Sequence, residues 1–145
     1  MKPLKRGLLL AVVSLLLAHC AGADVDPDHG ASFPASPLLA ADSDGHLLHI
    51  ELRSSPQPLE RGVNALQFTI SDASSGQPVS GLLFSLQPWM PDMGHGSSVT
   101  PVVLEQGAGV YEVSNVSLSM PGTWQLRATF SGPVNDTVEP SVQIP

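Results

Sequence analysis

From position 46 onward, apolar and polar residues alternate with a period of two. Leu48, Ile50 and Leu52 stand against His49, Glu51 and Arg53, the signature of a half-buried strand. Leu66, Phe68 and Ile70 then oppose Val63, Ala65, Gln67, Thr69 and Ser71. Residues 79–87 carry Leu82, Phe84 and Leu86 on one face. Residues 99–105 read as a short strand, and Pro101, which has no N–H to give a ladder, makes it an edge strand or one that starts late. Over 110–118, Val110, Glu112 and Ser114 alternate with Tyr111 and Val113; Trp124, Leu126, Ala128 and Phe130 follow on one face, and 137–144 gives the last strand. Between these runs lie Gly, Pro, Asn and Asp clusters at 72–78, 106–109, 120–122 and 131–133, which are turn signals. No segment has a helical period. The pattern predicts an all-β fold, an immunoglobulin-like antiparallel β-sandwich of about seven strands, with no internal repeat.

The first part of the chain follows other rules. Lys2, Lys5 and Arg6 precede an apolar run over 7–18 that only Ser14 interrupts. That is the length of a signal-peptide core and too short for a comfortable membrane span. Ala21-Gly22-Ala23 fits a small-x-small cleavage site, so residues 1–23 read as a signal peptide that exports the chain to the periplasm or cell envelope. Leu17-Ala18-His19-Cys20 also resembles a bacterial lipobox, with His19 departing from the small residue that motif prefers. Lipid on Cys20 is then the one route to a membrane. Residues 24–45, rich in Asp, Ala, Ser, Pro and Gly without apolar period, read as a flexible linker; 46–145 is the domain. Cys20 is the only cysteine, so no internal disulfide can form and the core alone must hold the domain together.

The net charge is −7, and the only strong cations beyond the signal segment are Arg53, Arg61 and Arg127. A phosphate backbone is repelled by such a surface, which excludes nucleic-acid binding. There is no Gly-rich phosphate loop, no G-x-S-x-G elbow and no paired acid/base site. The chain reads as non-enzymatic.

The alternation breaks at Trp89-Met90-Pro91-Asp92-Met93-Gly94-His95-Gly96, which holds two of the four methionines and one of the five histidines. Pro91 and the two glycines oppose a regular element, so the stretch reads as a rigid loop between two strands. Two thioethers and an imidazole can converge there. Thioethers are soft ligands that select Cu(I) over Zn(II), Mg(II) or Ca(II), need no deprotonation and form no disulfide in an oxidising compartment. Met90, Met93 and His95 are therefore the candidate metal ligands, and Met120, in the turn before Trp124, is a candidate fourth. The same methionines can equally serve as packing residues. His46 and His49, three apart, fall on opposite faces of a regular strand.

Three ordered motifs carry a family resemblance: Met90-Pro91-Asp92-Met93-Gly94-His95-Gly96, Gly109-Val110-Tyr111, and Met120-Pro121-Gly122-Thr123-Trp124-Gln125-Leu126. Together they resemble the YtkA-like domain, related to the FixH family, from about residue 46 to the C-terminus. The resemblance implies an exported β-sandwich, often encoded in copper or cytochrome-oxidase contexts, and carries a copper-type site onto Met90, Met93, His95 and, more weakly, Met120. The expected function is copper binding or copper handling, with the ion or a copper-handling membrane protein as partner. The alternative is a periplasmic accessory module whose loop meets a protein and holds no metal.

Overall fold

The computed structural model describes residues 31–145. The signal peptide, the lipobox and the first part of the expected linker lie outside them. Ten strands follow in order: β1 Leu39–Asp42, β2 Leu48–Ser55, β3 Gly62–Asp72, β4 Leu83–Met90, β5 His95–Gly96, β6 Val102–Gly107, β7 Val110–Leu118, β8 Gly122–Ser131, β9 Asp136–Val138 and β10 Ser141–Ile144. One sheet runs β1-β2-β3-β7-β6; the other runs β10-β8-β4-β5, with β9 also on β8. Every pairing is antiparallel. The fold is the all-β sandwich that the alternation predicts, and β6 is an edge strand beginning just after Pro101.

The differences from seven strands have local causes. The segment expected as a linker contributes β1, which pairs Leu39 with Leu52 and Asp42 with His49. Its backbone completes a sheet edge while its side chains remain half-buried or exposed, so it leaves little trace in the hydropathy pattern. The expected last strand is split into β9 and β10 at Glu139-Pro140, where the proline has no N–H to give. β4 starts later than its apolar pattern implies, because 78–82 crosses from one sheet to the other. Val79 N–H donates to the Ile70 carbonyl (3.0 Å). The Tyr111 hydroxyl donates to the Val79 carbonyl (3.0 Å) and accepts from Leu82 N–H (3.1 Å).

Between the sheets, Leu48, Ile50, Leu52, Leu66, Phe68, Ile70, Tyr111 and Val113 face Leu86, Trp124, Leu126, Ala128 and Phe130, all buried. Phe84 sits edge-on to Phe68 (4.8 Å between centroids) and Tyr111 (5.9 Å), an arrangement that aromatic quadrupoles favour. On β7 a bulge changes the parity. Asn64 pairs with Val116 and Leu66 with Val113, so β7 spends one residue more than β3. Asn115, at φ 59°, absorbs it, a left-handed conformation that asparagine tolerates. The bulge brings Val116 and Leu118 into the core after Val113, which strict alternation would not do.

Asp136 fastens the β1–β2 turn to β9. Its carboxylate accepts from Ser43 Oγ (2.6 Å), Gly45 N–H (2.8 Å) and Thr137 N–H (2.8 Å), with Leu47 N–H farther off at 3.4 Å. Ser43, itself buried, accepts from Leu48 N–H (2.9 Å). Burial opposes ionisation of Asp136, but these donors outweigh it and hold the carboxyl below the usual range. Asp72 organises the next turn. Ser74 Oγ, then Ser75 N–H and Ser75 Oγ, pull its carboxyl down to about 2 from an ordinary 3.8.

Two outcomes are expected. Asp136→Ala lowers stability by about 1–2 kcal/mol, the size of losing a set of charge-assisted hydrogen bonds, read in urea unfolding. Both carboxyls have folded values below their unfolded ones. Their stabilisation is thus complete above the unfolded value and is lost as pH falls through the folded value. For Asp72 that window runs from 3.8 down to about 2. Amide exchange at Ser75, corrected for the intrinsic pH dependence, rises across that acid range, and exchange at Gly45 rises as pH falls below the ordinary carboxylate value; unchanged protection at Ser75 down to the lower limit contradicts the assignment.

Candidate metal centre

The irregular stretch is shorter than its sequence suggests. β4 continues through Trp89 and Met90, and the chain turns over 91–94 and returns as β5. The turn closes on one acceptor: the Met90 carbonyl takes N–H bonds from Met93 (3.3 Å) and Gly94 (3.0 Å). Gly94, at φ 68°, supplies the left-handed residue that ends it. The expected loop is thus a tight hairpin with Met90 at its base and Met93 near its tip.

Register decides which donors share a face. Met90 pairs with His95 and Trp89 with Gly96. Directly opposed residues of an antiparallel pair point to the same side, with Cβ atoms about 5 Å apart. Leu86, Pro88 and Met90 are the buried, inward positions of β4, so His95 lies on the inner side of β5. Because β5 is short and at the sheet edge, that side is open, and His95 is exposed. Its Nδ1 lies 3.3 Å from the Gly96 carbonyl, which leaves Nε2 as the ring nitrogen for a ligand. Gly96 fills the outward position, where a Cβ would come within 2.9 Å of the Pro88 carbonyl and 3.2 Å of the Trp89 ring.

Met90 is only 4% exposed and belongs to the core. Its methyl end lies against Gly122: a Cβ there would be 3.2 Å from Met90 Cε. The turn that carries Met120 is thereby packed on the hairpin base. Met120 is partly buried against the core, and its carbonyl accepts from Trp124 Nε1 (2.9 Å). Met90 is therefore beside His95 through register and beside the Met120 turn through packing. Met93 is not drawn in; it stands 58% exposed at the tip.

Trp89 shares no face with these donors. It lies on the outer side, where the Arg127 guanidinium sits 4.7 Å from its ring centre. Arg127 is steadied by Gln125 Oε1 (2.9 Å from Nη2) and by Glu139 (3.7 Å). His46 and His49 do not converge. His46 takes the left-handed position of the β1–β2 turn, at φ 56°, and His49 Nδ1 contacts Asp42 Oδ1 at 2.7 Å. Among the described residues, no three His, Cys, Asp or Glu side chains cluster in a way that holds a metal, so an ion bound here would draw on thioether sulfur.

Residues 44–129 match the YtkA-like family. The chain belongs to that family. No curated protein matches the YtkA-like chain. A solved structure of a copper-bound variant of FetP, from a uropathogenic Escherichia coli strain, has the same fold with a TM-score of 0.51 at 10% identity. That likeness covers 74% of this chain and 95% of that one.

The sulfur atoms at 90 and 93 should therefore respond differently to truncation. Met90→Ala empties part of a packed core and costs about 2–4 kcal/mol. Met93→Ala changes stability by no more than about 0.5 kcal/mol, as for a surface position. Urea unfolding of the two variants checks this; equal losses would mean that the tip also packs.

Proposed function

We propose that this chain is an exported, non-enzymatic protein that binds copper, as Cu(I), and holds it or hands it to a copper-handling membrane protein. The donors are Met90, Met93 and His95, with Met120 as the fourth. The observation that carries this reading is the register of the β4–β5 hairpin, which sets a thioether and an imidazole on one face beside the Met120 turn. Membership of the YtkA-like family and the fold shared with a copper-bound protein support it. Soft sulfur and imidazole nitrogen suit Cu(I), and a thioether has no proton to lose on binding. His95 and Met93 are open to an arriving ion; Met90 adds its sulfur at the hairpin base, where water is largely excluded. The basic and apolar segment over 1–23 supports export, and Cys20 offers a lipid anchor in place of free secretion.

The exposed tip favours one second reading, an accessory module in which Met93 is an apolar contact for a protein partner and no metal is held. Titration with Cu(I) against a competing chelator separates the two. One equivalent is expected, and Met93→Leu and His95→Ala each weaken retention about tenfold or more, or about 1.4 kcal/mol. Met90→Leu conserves volume and keeps the fold, so its loss of affinity reports on the sulfur. A stoichiometry below one, or retention unchanged in the double Met90→Leu, Met93→Leu variant, defeats the copper reading.

A further inference from the structure

The three candidate thioethers differ in their access to solvent. Met90 is 4% exposed and ends against Gly122, Met120 is partly covered by the core, and Met93 is 58% exposed. The turn is closed without the Met93 side chain, by backbone bonds to the Met90 carbonyl and by the left-handed Gly94. Its neighbours Pro91, Asp92, Gly94 and His95 are exposed as well.

We infer that Met93 is an oxidation site, where a hydroperoxide converts the hairpin tip to the sulfoxide and leaves the fold intact. The sulfur lone pair attacks the distal peroxide oxygen and the O–O bond breaks. Sulfur is oxidised by two electrons, and the peroxide is reduced to water or, for an organic hydroperoxide, to an alcohol. Oxidation of methionine follows access to the sulfur, and the product is polar and chiral, which a solvent-facing position accommodates without loss of packing. The same product at Met90 would place an S=O dipole in the apolar core, so that residue reacts only through opened states.

The consequence for metal rests on the copper reading above. A sulfoxide has lost the soft thioether character that favours Cu(I), so oxidation at 93 removes the accessible sulfur donor and leaves Met90 and His95 in place. Methionine sulfoxide is enzymatically reducible, which makes this a reversible modification.

Treatment of the full, metal-free chain with graded hydrogen peroxide, followed by peptide mass mapping, tests the site. Among the three methionines of the described residues, the first added oxygen should fall on Met93, at a rate about tenfold or more above Met90 and above Met120. The singly oxidised protein should keep its near-ultraviolet circular dichroism and its unfolding midpoint. Oxygen uptake at Met90 or Met120 as fast as at Met93, or loss of tertiary signal on the first addition, would overturn the inference. Met93→Leu should abolish the fast phase on peptides from the domain; its persistence there in that variant would count equally against it. These readings need no metal, so they decide the site whether or not Cu(I) binds. In the chelator competition, oxidised wild type and Met93→Leu should lose Cu(I) to the same degree, and an oxidised protein that retains it fully overturns the switch.

Discussion

Alternate residues of β2, β3, β7 and β8 meet between the two sheets, and the apolar layer they form sets the position of everything outside it. No disulfide ties the domain, so strand order, register and loop placement all follow from which side chains enter this layer. The layer continues to the end of the sandwich through Met90. Its chain fills the gap beside Gly122, and in doing so it holds the β4–β5 hairpin against the turn before β8. A residue that looks like a ligand in the sequence is thus also part of the hydrophobic closure of that end. Packing keeps this thioether still, whereas the coordination proposed above asks it to face an ion.

Much of the fold was legible in the chain because a half-buried strand writes its own period. Leu48, Ile50 and Leu52, or Trp124, Leu126, Ala128 and Phe130, need no partner to be recognised as one face. What was illegible depends on distant partners. β1 carries no apolar period because its contribution is its backbone. Asp136 looks like one residue of a polar turn, and its four donors are visible only after Ser43, Gly45 and Leu47 arrive from the other end of the domain. The bulge at Asn115 was hidden because an extra residue on one strand is defined only against the strand it pairs with.

The donor stretch is legible by composition, but its shape is not. Pro91 and the glycines do interrupt regular structure, but only for the turn itself. Trp89 and Met90 remain in β4, and His95 and Gly96 already belong to the returning strand. The pairing of Met90 with His95 could not be read from their spacing, since a wider loop would have allowed any convergence. The hairpin permits one. It also separates the sulfurs that the sequence places three residues apart, one into the core and one into solvent.

Gly96 gives this hairpin a sensitivity that an inventory of donors misses. A methyl group there would press on the Pro88 carbonyl at 2.9 Å, and the short strand β5 would have to tilt or peel away to relieve it. The imidazole one position earlier would move with it. The separation of nitrogen from sulfur is therefore governed in part by a residue with no side chain, on the opposite face of the sheet. Under the copper reading proposed above, two relatives with the same donor residues would hold an ion with different tenacity if they differ only there.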